Sequence, residues 1–249
     1  MSEITPELVE LCGIHAGDGY LRDDGKRREL DISGSLEEID YYDSHVCNLF
    51  KKALNIKVQP RKFNSRNTYG VVIRNREVIK LFHDLGFPYG AKSSIVRVPR
   101  IILFNKNKIF HALFLRGLFD TDGHLGFRRY YGADYIPFKV KYPTYPTIAL
   151  TTVSKGLSDD IRILLFSLGL SFNYYFYRPK RRESLDSHKI TVNGVPRLIQ
   201  WMNIIGTKNN SKLSRYDIWK KFGFCPTNTT FKQRKDILND IINPYLLGL

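Results

Sequence analysis

The sequence predicts an α+β protein built twice over: two pseudo-symmetric αββαββα subdomains, each with an antiparallel sheet, packed together through one helix from each. Three observations predict it. An apolar run closing on an acid and a glycine occurs near the start, Leu11-Cys12-Gly13-Ile14-His15-Ala16-Gly17-Asp18-Gly19, and again near the middle, Leu115-Arg116-Gly117-Leu118-Phe119-Asp120-Thr121-Asp122-Gly123. The same succession of helix and hairpin signals follows each run. A Gly-x-Lys stretch then closes each repeat, Gly90-Ala91-Lys92-Ser93-Ser94 in the first and Gly206-Thr207-Lys208-Asn209-Asn210 in the second.

Residues four apart share a face of a helix. Gly13 and Gly17 therefore form a smooth strip on one motif helix, and Gly117 and Thr121 form its counterpart on the other. Each interior glycine costs about 1 kcal/mol relative to alanine. Two strips in register point to a purpose, the close approach of two helix backbones. If the helices lie side by side and parallel, Asp18 and Asp122 arrive together at one end. A carboxylate there faces the negative end of the helix dipole and the unpaired last carbonyls, and two so close repel each other. Hard divalent cations relieve both conflicts, because carboxylates and free carbonyls make an oxygen-rich site. Such a site has the geometry of metal-assisted phosphodiester hydrolysis. Gly19 and Gly123 are expected in the left-handed conformation that ends helices.

Along the chain, Thr5, Pro6 and Glu7 open the first motif helix, over residues 5–18. A hairpin follows, with strand signals at 19–22 and 27–33 about the turn Asp23-Asp24-Gly25. Ser35 and Glu38 form a capping box for a helix running to about Leu54. A second hairpin, 57–62 and 69–74, leads to a short helix over 75–85 that Gly86 and Pro88 stop. Pro88, Gly90 and Pro99 mark residues 88–107 as a linker between subdomains 1–87 and 108–215. In the second subdomain the motif helix spans 108–122, strands lie at 124–130 and 147–153, and a helix opened by Ser154 runs to Leu168. A hairpin at 171–178 and 189–192 and a helix over 196–205 complete the repeat. The second repeat is 12 residues longer between acid and lysine, an excess assigned to the Tyr- and Pro-rich stretch 130–147. Residues 216–249 read as a helical extension that either packs on the second subdomain or touches flanking nucleic acid.

A sheet with helices on one face leaves every second strand residue on the other. Basic and amide side chains on these strands and turns are Arg22, Arg27, Arg28, Arg61, Lys62, Arg66 and Asn67 in the first half. The second half offers Arg128, Arg129, Lys139, Lys141, Arg178, Lys180, Arg181, Arg182 and Lys189, with tyrosines such as Tyr20 interleaved. Lysine and arginine neutralise phosphates, and arginine and asparagine also read guanine and adenine edges. The 249 residues carry a net charge of +15 at a pI near 9.7. Residues 1–104 hold 16 basic against 14 acidic side chains and residues 105–249 hold 23 against 10, so the charge lies in the second half. That balance favours polyanions.

Three cysteines, Cys12, Cys47 and Cys225, are too few and too scattered for a disulfide framework or a zinc cluster. They are expected to be reduced, in an intracellular, cytosolic setting. No long apolar run or leader-like N-terminus occurs, so neither a membrane span nor a signal peptide is expected. His15, inside the first motif helix, reads as a core or interface residue. Asp120, two residues from Asp122, points elsewhere and reads as a cap or an interface hydrogen-bonding group.

At the two acid-glycine runs the chain resembles the LAGLIDADG homing endonucleases, in the form with two motifs in one polypeptide. LRGLFDTDG matches the family pattern closely, while LCGIHAGDG carries Ala16 where an acid is common. The resemblance covers about residues 5–215. It implies a saddle of two sheets on a long double-stranded DNA site and a monomer that cuts both strands across the minor groove, leaving short 3′ overhangs. It further implies divalent ions, Mg2+ with Mn2+ or Ca2+ as substitutes, bound by Asp18 and Asp122 with the carbonyls of Gly17 and Thr121. Family members place one basic side chain per half near the scissile phosphates, and the matched repeat positions nominate Lys92 and Lys208. Such motifs also occur in inteins, but this chain begins at Met1 and ends Leu247-Gly248-Leu249, without splicing residues, and reads as freestanding and intron-encoded. Two other functions fit the same scaffold, an RNA-binding maturase and a DNA-binding regulator without cleavage.

Overall fold

The computed structural model describes residues 4–132, 136–179 and 185–247. Helix α1 (Pro6–Asp18) starts where the Thr5 side chain accepts from Leu8 N and Pro6 occupies the first turn. The hairpin β1 (Gly19–Asp23) and β2 (Arg28–Ser35) follows without an intervening loop. The Ser35–Glu38 capping box forms as expected, but the helix it opens is not uniform. A 3-10 turn at Leu36–Glu38 passes into a π-helical stretch at Tyr41–Val46 before α2 (Cys47–Leu54). The wider turn buries the large rings of Tyr41 and Tyr42 completely, a tertiary demand that local spacing does not reveal. Strands β3 (Arg61–Phe63) and β4 (Thr68–Ile73) and helix α3 (Arg76–Asp84) complete the first unit.

The linker is ordered. Gly90 N donates to Leu21 O on β1 at 2.7 Å, and a short helix α4 (Arg100–Leu103) lies within it. Arg97 clamps the buried Asp160 through Nε (3.1 Å) and Nη2 (2.6 Å). Helix α5 (Lys108–Asp122) and strand β5 (His124–Arg128) repeat α1 and β1. Between β5 and β6 (Tyr145–Thr152) lie 16 residues where the first hairpin has 4, the 12-residue excess read from the sequence, and they include a further short helix α6 (Pro137–Lys141). Then come α7 (Lys155–Ser167), β7 (Asn173–Tyr177), β8 (Ser187–Asn193) and α8 (Val195–Ile204). Both sheets are antiparallel and share one topology, β1-β2-β4-β3 and β5-β6-β8-β7. The pseudo-symmetry is therefore real at the level of strand order.

Helices α1 and α5 form the seam, running parallel at backbone contact. A Cβ on Gly13 would collide with the carbonyl of Phe114, and one on Gly117 with the carbonyl of Glu10. The seam carries one buried charge that the sequence did not suggest. Glu10 is 2% exposed and receives Arg116 Nε (2.8 Å) and Nη2 (2.5 Å), with His45 Nε2 2.7 Å away. Burial pushes its carboxyl up, but the hydrogen bonds from His45 and Arg116 outweigh that and hold it below the usual range.

The C-terminal segment differs from expectation. Helix α9 (Asn210–Phe222) runs through residue 215 without a break, and α10 (Phe231–Leu238) reaches the first half. Phe231 N donates to Glu37 Oε1 (2.9 Å) and Lys235 Nζ to Asp40 Oδ2 (3.1 Å). Arg234, 1% exposed, donates to Ser214 Oγ (2.9 Å), Ser211 Oγ (2.9 Å) and the carbonyl of Thr229. The extension thus packs across both units. No helix among the described residues is long and apolar enough to cross a membrane.

Candidate metal centre and nucleic-acid interface

Parallel packing of α1 and α5 brings their last residues, Asp18 and Asp122, side by side. Gly17 sits under them, where a Cβ would strike the Thr121 side chain and lie 3.3 Å from Asp122 Cγ. Asp18 is half-buried. Burial first, then Asp122 and Glu38, push its carboxyl up to about 7, against the Tyr42 hydroxyl, which donates to Oδ2 at 3.0 Å. Asp122 is more open to solvent, and burial raises it too, against the pull of Lys92 and Lys212. Two carboxylates crowded into one site without a neutralising partner are under electrostatic strain.

Gly19 and Gly123 do not adopt the left-handed conformation expected of them. Their φ values are −78° and −76°, extended backbone, because each strand begins at once. The glycines are needed for space instead: a Cβ would collide with the His15 ring at Gly19 and with Phe119 at Gly123.

Lys92 lies where its repeat position suggested. Its ammonium donates to the carbonyls of Ala16 (2.9 Å) and Gly17 (2.5 Å). Lys208 does not match it. Its side chain is exposed, and only its backbone N–H reaches inward, to Asp120 Oδ2 at 2.8 Å. The counterpart is Lys212, whose ammonium donates to the carbonyls of Asp120 (2.6 Å) and Thr121 (2.9 Å). The Gly-x-Lys register misled because the second repeat supplies its cation from inside α9, four residues later. Burial lowers the affinity of both lysines for protons, while the nearby aspartates raise it.

These lysines put cationic groups at the two helix ends. Each places a positive charge on the last-turn carbonyls that the helix leaves unpaired. Above Asp18, Gly34 leaves a cradle that a Cβ would fill, 2.8 Å from Asp18 Oδ2. Two carboxylates, the Gly17 and Thr121 carbonyls and this gap form an all-oxygen set suited to a hard divalent ion. Among the described residues no group of three or more His, Cys, Asp or Glu is placed to hold a metal, so any ion depends on the paired aspartates.

The neighbouring acid and histidine have structural roles. Asp120 is fully buried and accepts from Thr207 Oγ1 and Lys208 N, so it fixes the loop ahead of α9. Asn209 Nδ2 donates to the Asp120 carbonyl and to Glu38 Oε1, both at 2.7 Å, joining the two halves beside the site. His15 is buried and stacks on Phe87 at 4.4 Å, with its proton affinity driven down to about 3 by burial and Lys92. A base that holds its proton so weakly does not serve as a general base from the core.

The strand registers sort the basic residues. Tyr20, Arg22 and Arg61 lie on the open face of the first sheet, and Arg128 and Lys189 on that of the second. Lys62 pairs with Tyr69, whose hydroxyl donates to Asp43, so it belongs to the row facing the helices; Arg28 shares the row of Leu30 and Ile32. A slip of one residue exchanges faces, and sequence alternation did not resolve it for these two. Arg27 and Asn67 lie in turns, and Arg66 caps the β3–β4 turn against Asp31 (2.8 Å). Arg129 follows β5 directly, Lys139 and Lys141 lie on α6 and not on a strand, and Arg178 follows β7. Lys180, Arg181 and Arg182 lie outside the described residues. Arg22, Arg28 and the turn residue Arg66 are paired with Asp24, Asp23 and Asp31.

Residues 110–206 match the LAGLIDADG-like domain family. The chain is 25% identical to part of glutamine–fructose-6-phosphate aminotransferase of Methanocaldococcus jannaschii, over 86% of this chain and 17% of that protein. It is 29% identical to part of a DNA polymerase of a Thermococcus species, over 68% of this chain and 9% of that protein. It is 26% identical to part of ribonucleoside-diphosphate reductase NrdEB subunit alpha of Bacillus subtilis, over 92% and 21%. The chain thus spans less than a quarter of the length of these relatives. Among solved structures, it is similar to the homing endonuclease I-DmoI in complex with DNA and calcium (TM-score 0.54, 15% identity, 83% of this chain and 94% of that one) and with DNA and manganese (TM-score 0.52, 16% identity, 82% and 98%). The likeness is one of fold. The match over 110–206 ties the second half to the LAGLIDADG-like domain family, and the paired motifs and the repeated sheet topology give the first half the same architecture.

Proposed function

We propose that the protein is a site-specific, divalent-dependent DNA endonuclease that acts as a monomer. The observation that carries this reading is the pair of crowded carboxylates, Asp18 and Asp122, at the joined ends of α1 and α5. Each sits beside carbonyls on which a lysine already places a positive charge. On this reading Asp18 and Asp122, with the Gly17 and Thr121 carbonyls, hold Mg2+ or Mn2+. A bound divalent ion supplies Lewis acidity toward a phosphate oxygen and lowers the pKa of a water. Lys92 and Lys212 stabilise negative charge that builds on the phosphorus in the transition state. Water oxygen bonds to phosphorus, the bond to the leaving sugar oxygen breaks, and that oxygen takes up a proton. The open sheet faces hold the duplex, with Arg128 and Lys189 in the second sheet and Tyr20, Arg22 and Arg61 in the first.

The relatives support the homing part of the reading. One matched segment recurs within an aminotransferase, a DNA polymerase and a reductase subunit, and makes up 9–21% of each. A module shared by proteins with no common activity behaves as an insertion that moves between genes, and cleavage of an uninterrupted site is what such movement requires. The test is incubation with duplex DNA spanning the uninterrupted insertion site of the host gene, with Mg2+ or with EDTA. A double-strand break that needs the metal and fails in either Asp→Asn variant is expected. Tight binding without a break in any metal would replace this reading with that of a DNA-binding regulator or maturase.

A further inference from the structure

The two parts of the second half that have no counterpart in the first, the β5–β6 insertion and α9, meet around a cavity of about 670 Å3. Its walls are aromatic: Tyr130 and Phe138 from the insertion, Tyr145 from β6 and Trp219 from α9. Tyr130 and Tyr145 stack at 5.4 Å with 13° between their planes. Cations surround these rings. Lys139 Nζ stands 5.8 Å from the Tyr130 centroid and Arg128 Cζ 4.7 Å from that of Tyr145, while Arg197 is exposed at the rim. Among the described residues, no acidic side chain lines the space. Helix α8 begins here at Gly194 without a side-chain cap, which adds to the positive potential.

Flat π faces select a planar ring, and cations at one rim select an anion attached to it. The volume is in the range of small-ligand sites. Tyr145 also lies in the open row of β6 with Thr147 and Ala149, four residues and roughly 13 Å along the strand from the position that pairs with His124. One wall of the cavity, Tyr145, therefore stands at the far end of the sheet face that begins beside Asp122.

We propose that this cavity binds a single nucleotide, its base against the aromatic walls and its phosphate on Lys139 and Arg197. Free nucleotides and an unstacked nucleotide within a nucleic acid strand share this chemistry. The site does not depend on the nuclease reading, since it needs neither aspartate.

Trp219 lines the cavity while Trp201 is wholly buried in the core, so quenching of tryptophan fluorescence reports occupancy. The full chain is titrated with dAMP, with ribose 5-phosphate, and with short single strands that carry either an adenine or an abasic site at one position. Saturable quenching by dAMP, and none by ribose 5-phosphate, assigns the cavity to a free nucleotide. Saturation only by the adenine-bearing strand, and not by its abasic twin, assigns it to a nucleotide within a strand. In either case the Lys139→Gln/Arg197→Gln double variant, confined to side chains outside the core, should bind about tenfold more weakly. Tyr145→Leu should lose about 5- to 150-fold, the range of one base–aromatic stack. No saturation up to about 10 mM by any base-bearing probe, well weaker than millimolar binding, or equal quenching by adenine and abasic strands, overturns the proposal.

Discussion

Replacing Asp18 by asparagine should make the metal-free protein more stable while it abolishes cleavage. In the fold the carboxyl is held at about 7 against an ordinary value of 3.8, so its ionised form is disfavoured by about three pKa units. At 1.36 kcal/mol per unit this sets a ceiling of about 4 kcal/mol, and solvent access on the outer side of the half-buried group reduces it to about 2 kcal/mol. Asparagine keeps an acceptor for the Tyr42 hydroxyl and removes the charge that faces Asp122 and Glu38. The sign follows from linkage. Below about pH 4 both folded and unfolded chains carry the proton, and the native aspartate costs nothing. Between about pH 4 and 7 the unfolded chain ionises while the folded one resists, so wild-type stability falls as pH rises and levels off above 7. Thermal unfolding in EDTA should therefore show Asp18→Asn equal to wild type near pH 4 and about 4–8 °C higher at pH 8, at about 2–4 °C per kcal/mol for a chain of this length. Added Mg2+ or Ca2+ should narrow the gap by stabilising wild type alone. A variant that melts lower than wild type at pH 8, or by an equal increment at every pH, would refute the argument that the two carboxylates strain the metal-free site.

Lys212→Met should reduce cleavage about 10²- to 10³-fold, the scale for losing one group that stabilises transition-state charge, while Lys208→Met stays within about twofold of wild type; single-turnover cleavage rates separate the two. Gly117→Ala should destabilise by about 1–3 kcal/mol through overpacking, because its Cβ meets the Glu10 backbone and not a movable side chain, as urea unfolding will show. Arg234→Met should cost about 1–3 kcal/mol, the scale for leaving a buried polar partner unsatisfied, because it strips hydrogen bonds from Ser214, Ser211 and Thr229; an unchanged urea midpoint would show that the C-terminal extension does not hold the halves together. DNA binding should weaken with salt, and Lys189→Gln should lower the slope of log K against log[salt] by about one if that side chain sits on a phosphate.

What the chain determined by itself was whatever local rules can carry. Small residues at four-residue spacing on two apolar runs, Gly13 with Gly17 and Gly117 with Thr121, specified a parallel seam, because only backbone contact repays the helix stability the glycines forgo. An acid in the last turn of each run pointed to the candidate site, because that position is unfavourable without a cation. Hairpin turns and caps placed the strands, and the order of elements was legible twice. Tertiary structure decided what depends on distant partners. Lys212 and not Lys208 reaches the carbonyls, because α9 begins at Asn210 and turns its third residue inward beneath Asp120. Glu10 is charged in a buried seam because Arg116, more than a hundred residues away, closes on it. The π-helical turn at Tyr41–Val46 exists because two tyrosine rings must fit under the first sheet. Lys62 faces the helices because register, a property of pairs of strands, chooses the face, and no single strand encodes its partner. The extension joins both halves for the same reason: Glu37 and Arg234 are 197 positions apart, and only the folded chain makes them neighbours.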